Sequence, residues 1–151
     1  MRVGLISDTH GLLRPEALEA LAGVDAIIHG GDIGGPEVLE KLAAVAPVHA
    51  VRGNNDRGPW AGKLPATLML PLEGVRVQVV HDVKELSVRS EPDRPQVVIS
   101  GHSHKPSVVR REGVLYVNPG SAGPRRFKLP VTMGYLAIVN GSAEAELRDL
   151  L

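Results

Sequence analysis

Seven side chains able to bind a cation stand just past the ends of short apolar runs: Asp8, His10, Asp32, Asn54, His81, His102 and His104. Carboxylates and imidazoles in such number are metal-ligand chemistry. One ion needs three or four of these donors, and the whole set is enough for two ions that share a carboxylate. Two cations ~3.5–4 Å apart repel, and a bridging carboxylate offsets the repulsion. Asp32 is the best bridge, because it stands alone after its run. Asp8 with His10, and His102 with His104, are two residues apart, which in an extended segment aims both members the same way. Asp-x-His, His-x-His and Gly-Gly-Asp are each common alone. The signal is the ordered set.

Such a set needs a frame that brings distant segments to one edge. Apolar, β-branched runs at 3–7, 26–29, 48–52, 75–80, 97–100, 115–117 and 135–139 read as buried strands. A weaker run at 68–70 pairs with 75–80 through a Glu73-Gly74 turn. Helices are predicted at 15–22 and 36–45, each opening on Pro, the first closed by Gly23. A third, weaker helix is placed at 84–89. Strand–helix–strand–helix–strand over the first 52 residues argues for a parallel α/β sheet, and the strand-rich second half for a second, mixed sheet. In open α/β sheets the ligand crevice lies beyond the carboxyl ends of the strands, where all seven donors fall. The glycines at 30, 31, 53 and 101 let the backbone turn sharply there.

Composition narrows the alternatives. The chain has 151 residues, with 17 Lys+Arg balancing 17 Asp+Glu, so no net field argues for nucleic acid or a membrane surface. Aromatics at 3% weaken any case for base-stacking platforms. There is no cysteine, which removes disulfides, thiolate metal sites and Cys nucleophiles. No apolar run approaches the ~18 residues of a membrane span. Met1 leads straight into a strand-like run without a basic region, apolar block and cleavage site. The expectation is a cytoplasmic protein of one domain.

The ordered set Asp8-Thr9-His10, Gly31-Asp32, Gly53-Asn54-x-Asp56, His81 and Gly101-His102-Ser103-His104, followed by Asn118-Pro119-Gly120-Ser121, resembles the calcineurin-like metallophosphoesterase superfamily. Its nearest likeness is to the small single-domain phosphodiesterases of bacteria and archaea. The resemblance implies one domain over residues 1–151, folded as a four-layer α/β/β/α sandwich of two mixed β-sheets flanked by helices. It implies one metal on Asp8, His10, Asp32 and His104, and another on Asp32, Asn54, His81 and His102. Asp56 would orient the loop holding Asn54, and Asn118 and the Gly120 backbone would lie close by. The implied cofactors are two divalent ions, with Mn2+ favoured and Ni2+, Co2+, Fe2+ or Zn2+ also compatible with imidazole and carboxylate donors.

The implied activity is hydrolysis of a small phosphoester, most of all a phosphodiester, by in-line attack of a hydroxide bridging the two metals. Asp32, Asn54 and His10 are the residues expected to act on the reaction itself. Two positions depart from the pattern. Asn55 stands where relatives that protonate the leaving group have His, and Asn cannot supply a proton near neutral pH. Asp82 stands where the relatives read Gly within His-Gly-His. Without an acid at 55, acidic leaving groups such as aryl oxides or phosphates are favoured; His10 is the nearest alternative acid, but as a ligand it is already engaged. The contrasting class is a non-catalytic metal-binding scaffold for protein interaction, since a eukaryotic retromer subunit resembles this fold. A different dinuclear hydrolase, acting on amides, is a third. Relatives pair with copies of themselves, and a homo-oligomer is compatible with the sequence. Outside the set, His29 is expected as a packed strand residue or a donor behind the ligands, and His49 as a partly exposed strand residue. Arg125 and Arg126 are expected as a solvated loop pair, and Trp60 as packing over a core edge. Gly30–Gly35 has the wrong spacing for a dinucleotide loop.

Overall fold

The computed structural model describes residues 1–86 and 94–151. In chain order the elements are β1 (Arg2–Ile6), α1 (Pro15–Leu21), β2 (Ala26–His29), α2 (Pro36–Ala43), β3 (Val48–Ala50), α3 (Pro59–Gly62), β4 (Thr67–Leu72) and β5 (Val75–Val80). A 3-10 turn at Val83–Glu85 follows, then β6 (Val97–Ile99), β7 (Ser107–Arg111), β8 (Val114–Asn118), β9 (Thr132–Val139) and β10 (Ser142–Asp149). The strands form two five-stranded sheets, ordered β10-β9-β1-β2-β3 and β4-β5-β6-β8-β7. Each sheet is mixed. β1, β2 and β3 run parallel, as do β5, β6 and β8, while β9, β10, β4 and β7 are antiparallel to their neighbours.

Apolar alternation explains the layering. Leu5, Ile28, Val79, Ile99, Val117 and Leu136 form the core between the sheets. Ile6, Ile27, Met133 and Tyr135 point the other way and meet Ala17, Leu21, Val38 and Leu42 of α1 and α2. Trp60 packs against the rim of that second core, as the sequence suggested. On the far face of the second sheet, Val80, Val98 and Val114 pack with Leu86 and Tyr116, and the 3-10 turn lies over this side. The fold is thus two mixed sheets flanked by helices. Of the helix placed at 84–89, the structure has only the 3-10 turn within the described residues, and 87–93 lie outside them. Among the described residues no helix is long and apolar enough to cross a membrane.

Two strands escape the sequence reading, β7 and β10. Both arrive through two-residue hairpins like the one expected at Glu73-Gly74, where φ is 44° and 84°. Glu112-Gly113 (φ 50° and 80°) joins β7 to β8, and Asn140-Gly141 (52° and 76°) joins β9 to β10. Positive φ at both central residues is the turn whose twist matches paired strands. The Asn-Gly pair was therefore a usable signal for β10.

Ile28 is fully buried between the sheets, one residue before the turn that leads to Asp32. Ile28→Ala is expected to cost about 2–5 kcal/mol of unfolding free energy in urea titrations. A loss below about 1 kcal/mol would show that the inter-sheet core is not packed there as described.

Candidate metal centre

The parallel strands β1, β2 and β3 of one sheet, and β5, β6 and β8 of the other, end at the same edge of the sandwich. Backbone bonds tie their outgoing loops together. Asp8 N–H donates to Gly31 O (3.0 Å), His10 N–H to Asp32 O (2.9 Å), and Gly101 N–H to His81 O (2.9 Å). His102 N–H crosses between sheets to Asp8 Oδ2 (3.1 Å).

Five of the seven predicted donors have left-handed backbone: Asp8 (φ 54°), His10 (46°), Asp32 (55°), His102 (69°) and His104 (62°). This corrects the expectation that Asp8-x-His10 and His102-x-His104 aim their side chains by extended geometry. A non-glycine residue at positive φ is strained, and such strain persists only where its surroundings enforce it. Here the chain must reverse within two or three residues of the strand end, and αL backbone makes that reversal. Close approach does the enforcing. A Cβ on Gly53 would collide with Asp32 N and Oδ1, and one on Gly101 with Ser7 Oγ.

The donor atoms converge. His104 Nε2 lies 3.4 Å from Asp8 Oδ1, and His10 Nε2 lies 3.9 Å from Asp8 Oδ1 and 3.9 Å from Asp32 Oδ2. His10 and His104 face each other, Nε2 to Nε2, at 3.4 Å. On the other side His81 Nε2 is 3.3 Å from Asp32 Oδ2 and 4.0 Å from Asp8 Oδ1. Donors each ~2.0–2.2 Å from a shared ion lie at most about 4.4 Å apart, so these separations suit common cations. Among the described residues, two groups meet the ligand geometry, Asp8-His10-His104 and Asp8-Asp32-His81. Asp8 therefore reaches both sides, as Asp32 does.

His102 belongs to neither tight group. Its Nδ1–H donates to Asn54 Oδ1 (3.3 Å), its Nε2 is 3.8 Å from Asp82 Oδ2, and its ring centroid is 5.2 Å from that of His81. Asn54, His81, Asp82 and His102 line one open cavity of about 350 Å³. Asp82 is thus beside this side of the centre, where its Oδ1 also accepts the Lys84 N–H (3.0 Å) and caps the 3-10 turn.

The free lone pairs are the ones a cation would use. Asp8 Oδ2 is taken by Ser7 Oγ–H (2.7 Å) and the His102 N–H, whereas Oδ1 is buried with no hydrogen-bond partner. His81 Nδ1–H donates to Gly30 O (2.7 Å), which leaves Nε2 as the accepting nitrogen of the neutral ring. That Nε2 is also buried and makes no directed hydrogen bond, although Asp32 Oδ2 lies 3.3 Å away. Buried polar atoms normally find partners. These unpartnered atoms converge on one spot, and the donor set fits a cation there.

The charges say the same. Burial alone would lower the His81 pKa, but Asp32, the Gly30 carbonyl and Asp8 raise it to about 9. Burial would raise the Asp32 carboxyl, yet the neighbouring His81 and the Asn55 N–H groups hold it well below the usual carboxylate range. The pocket recruits positive charge at the His81 nitrogen, as a proton or as a metal competing with it.

Three residues outside the donor set hold it in place. Asp56 Oδ1 accepts Ile33 N–H (2.9 Å) and Gly34 N–H (3.1 Å), and Oδ2 accepts Gly53 N–H (2.8 Å). It therefore ties the Asp32 and Asn54 loops together, as expected. Asn118 Nδ2 donates to Gly101 O (2.9 Å) and Oδ1 accepts Gly120 N–H (2.9 Å), bracing the His102–His104 loop. The residue that sequence reasoning undervalued is Asn55. Its backbone N–H donates to Asp32 Oδ1 (2.9 Å) and its amide to Asp32 Oδ2 (3.1 Å), so it grips both oxygens of the central carboxylate.

His29 is a fully buried strand residue, and its bonds fix its tautomer. Gly31 N–H donates to Nδ1 (3.1 Å), so Nε2 carries the proton and donates to Thr9 Oγ1 (3.0 Å), which donates to Ile33 O (2.8 Å). The neutral ring links the loops after β1 and β2. His49 is half-buried on β3, and Arg125 and Arg126 are exposed, all as expected.

The calcineurin-like phosphoesterase superfamily domain profile matches residues 1–141. A probable metallophosphoesterase from Methanothermobacter thermautotrophicus is 34% identical, covering 97% of this chain and 91% of that protein. Among solved structures, an archaeal phosphodiesterase superposes with a TM-score of 0.81 at 23% identity, covering 98% of this chain and 100% of that one. Zinc-complexed Vps29 from Entamoeba histolytica superposes with a TM-score of 0.72 at 24% identity over 100% of both chains.

Burial pushes His29 down to about 4 from 6.5, the strongest influence on it, with Asp8 opposing. Its folded pKa is therefore below its unfolded one. The stabilisation is complete above pH 6.5 and drains as pH falls toward 4, by about 3 kcal/mol in full. Urea titrations of the metal-free protein should show wild type losing that much more than His29→Gln between pH 7 and 4. A constant difference between the two proteins would contradict a neutral buried ring.

Proposed function

Because the chain belongs to the calcineurin-like phosphoesterase superfamily, we propose that it is a metal-dependent phosphoesterase whose better substrates are phosphodiesters. The observation that carries this reading is the convergence of unpartnered Asp8 Oδ1 and His81 Nε2 with His10, His104 and Asp32 at one strand edge. In this reading Asp8, His10, Asp32 and His104 hold one cation, and Asp32, Asn54, His81 and His102 the other. Residues 1–151 act as a single domain in the cytoplasm. Oxygen and imidazole donors without thiolate suit Mn2+, Fe2+, Co2+, Ni2+ or Zn2+. When bound, the cations supply Lewis acidity toward phosphoryl oxygens and lower the pKa of water at the site.

The chain's own residues do the positioning. Asp32 is held rigid by both Asn55 donors, so its free lone pairs keep a fixed direction. Asp8 is oriented by Ser7 and by the His102 backbone, and His81 by Gly30. No proton donor stands at position 55, so the leaving oxygen departs unprotonated or takes a proton from water. This favours leaving groups of low pKa, aryl oxides and phosphates, over alkoxides. The scaffold reading draws on the likeness to Vps29, which at 24% identity shows the fold alone. A scaffold role would tolerate missing ligands, yet all seven donors are present in this chain.

Purified protein with Mn2+ added should hydrolyse bis-p-nitrophenyl phosphate, lose the activity on chelation, and lose more than about a hundredfold in Asp32→Asn. No turnover of any phosphoester under these conditions, or an unaffected Asp32→Asn, would refute the proposal. Asn55→His supplies the absent acid at the cost of the amide bond to Asp32. Turnover of alkyl esters relative to p-nitrophenyl esters should rise about tenfold or more in that variant. An equal change on both classes would show that the missing proton does not set leaving-group preference.

A further inference from the structure

An open groove of about 670 Å³ runs from Ser103 and His104, at the metal centre, to a turn over residues 126–129. Its lining includes three cations, Lys105, Arg126 and Lys128, and no carboxylate. Among the described residues none of these three forms an ion pair. At the corner of the turn stands Phe127, 93% exposed and at φ 51°. The turn is closed by Leu129 N–H donating to Arg126 O (3.0 Å). An aromatic residue in left-handed backbone, held away from every core, is strained and gains nothing from burial.

The turn is also registered to the centre. Ser121 Oγ donates to Asp8 O (3.0 Å), Ala122 N–H donates to Ser7 O (3.0 Å), and the Arg14 guanidinium holds Gly123 O (3.2 Å). Gly123 is pressed so closely on Asp8 O and Thr9 O that a Cβ there would collide. The base of the loop is therefore fixed against the ligand-bearing segment, and its tip projects past His104.

We propose that this turn recognises a nucleotide-type phosphodiester that carries a phosphate besides the one attacked. Phe127 stacks on the planar base, and Lys105, Arg126 and Lys128 hold the second phosphate. The inference rests on the phosphoesterase reading and deepens it. Stacking on one exposed ring needs no base-specific hydrogen bonds, and three cations with no acid among them match a group of charge −2. One ring serves one base, which agrees with the scarcity of aromatics and with a small ligand in place of a nucleic-acid strand. No covalent step beyond phosphoester hydrolysis is involved.

Calorimetry on the Mn2+-loaded protein, with ADP and inorganic pyrophosphate as probes, separates the two contributions. Wild type should bind ADP about tenfold tighter than pyrophosphate. Phe127→Ala should bring the two within about twofold, whereas Phe127→Trp should preserve the discrimination. Arg126→Ala/Lys128→Ala should weaken both probes by about tenfold and flatten the dependence on salt. Phe127 is so exposed that its variants should fold as wild type, which circular dichroism checks. Equal wild-type affinity for the two probes would overturn the inference. So would discrimination unchanged in Phe127→Ala, or a change only in the oligomeric mass of that variant. These binding measurements are separate from turnover, so a protein that discriminates the probes but hydrolyses nothing would count against the catalytic reading alone.

Discussion

Two carboxylates, Asp8 and Asp32, are buried side by side at the edge of a sandwich, and the rest of the site answers to their charge. Taking an unpaired carboxylate out of water is prohibitive, and two like charges in one pocket are worse. The protein meets part of the demand with neutral donors: Ser7 and the His102 N–H on Asp8, both Asn55 groups on Asp32. It leaves Asp8 Oδ1 without a partner. The remaining demand is for positive charge, and the pKa of His81 is raised in keeping with it. A pocket built for stability alone would close that gap with one more N–H. Leaving it open, with imidazole nitrogens around it, makes the affinity for a cation the stabilising interaction.

This arrangement requires a frame that tolerates strain. Five donor residues at positive φ, spread over three loops, are each unfavourable, and short parallel strands with full inter-sheet packing supply the compensation. The linkage is direct: Ile28 is fixed in the core, His29 bonds to Thr9 and Gly31, and Asp32 follows within three residues. A neutral His29 is necessary to that chain, since a protonated Nδ1 could not accept the Gly31 N–H. Behind the ligands, then, the site depends on a histidine remaining uncharged, and in front on carboxylates remaining charged.

Much of this is legible in the sequence. The donor residues follow strands, and a strand end is where a parallel α/β sheet offers a crevice, so type and position agreed. Asp56 and Asn118 were placed correctly by resemblance. What the residue letters hid was the means. Alternation in an extended segment looked sufficient to aim Asp8 with His10, yet the chain uses left-handed turns, which no rule of spacing reveals for Asp or His. Strand β7 (Ser107–Arg111) was invisible because every residue in it is exposed and no alternation marks it. Strand β10 alternates through Ala143, Ala145 and Leu147, and two of these three inward positions are alanines, whose small side chains mark a strand weakly. Asn55 was read only for the acid it is not. Its grip on both oxygens of Asp32 depends on a three-dimensional approach between the loops after β2 and β3.

That grip changes the meaning of the missing acid. A histidine at position 55 would serve the leaving group, but its ring lacks the short amide reach that clamps Asp32 Oδ2. The chain has a better-fixed central carboxylate in exchange for no proton donor. Such an exchange costs little only when the leaving group needs no proton, as with a phosphate or an acidic oxide. The groove beside His104, with Phe127 and three cations that form no ion pair among the described residues, has the chemistry to hold a base and a further phosphate. The two features lie on different loops and arise from different residues. Under the proposed reading both would favour the same kind of molecule: a diester whose departing half is already an anion, and whose far end gives the protein something flat and something charged to hold.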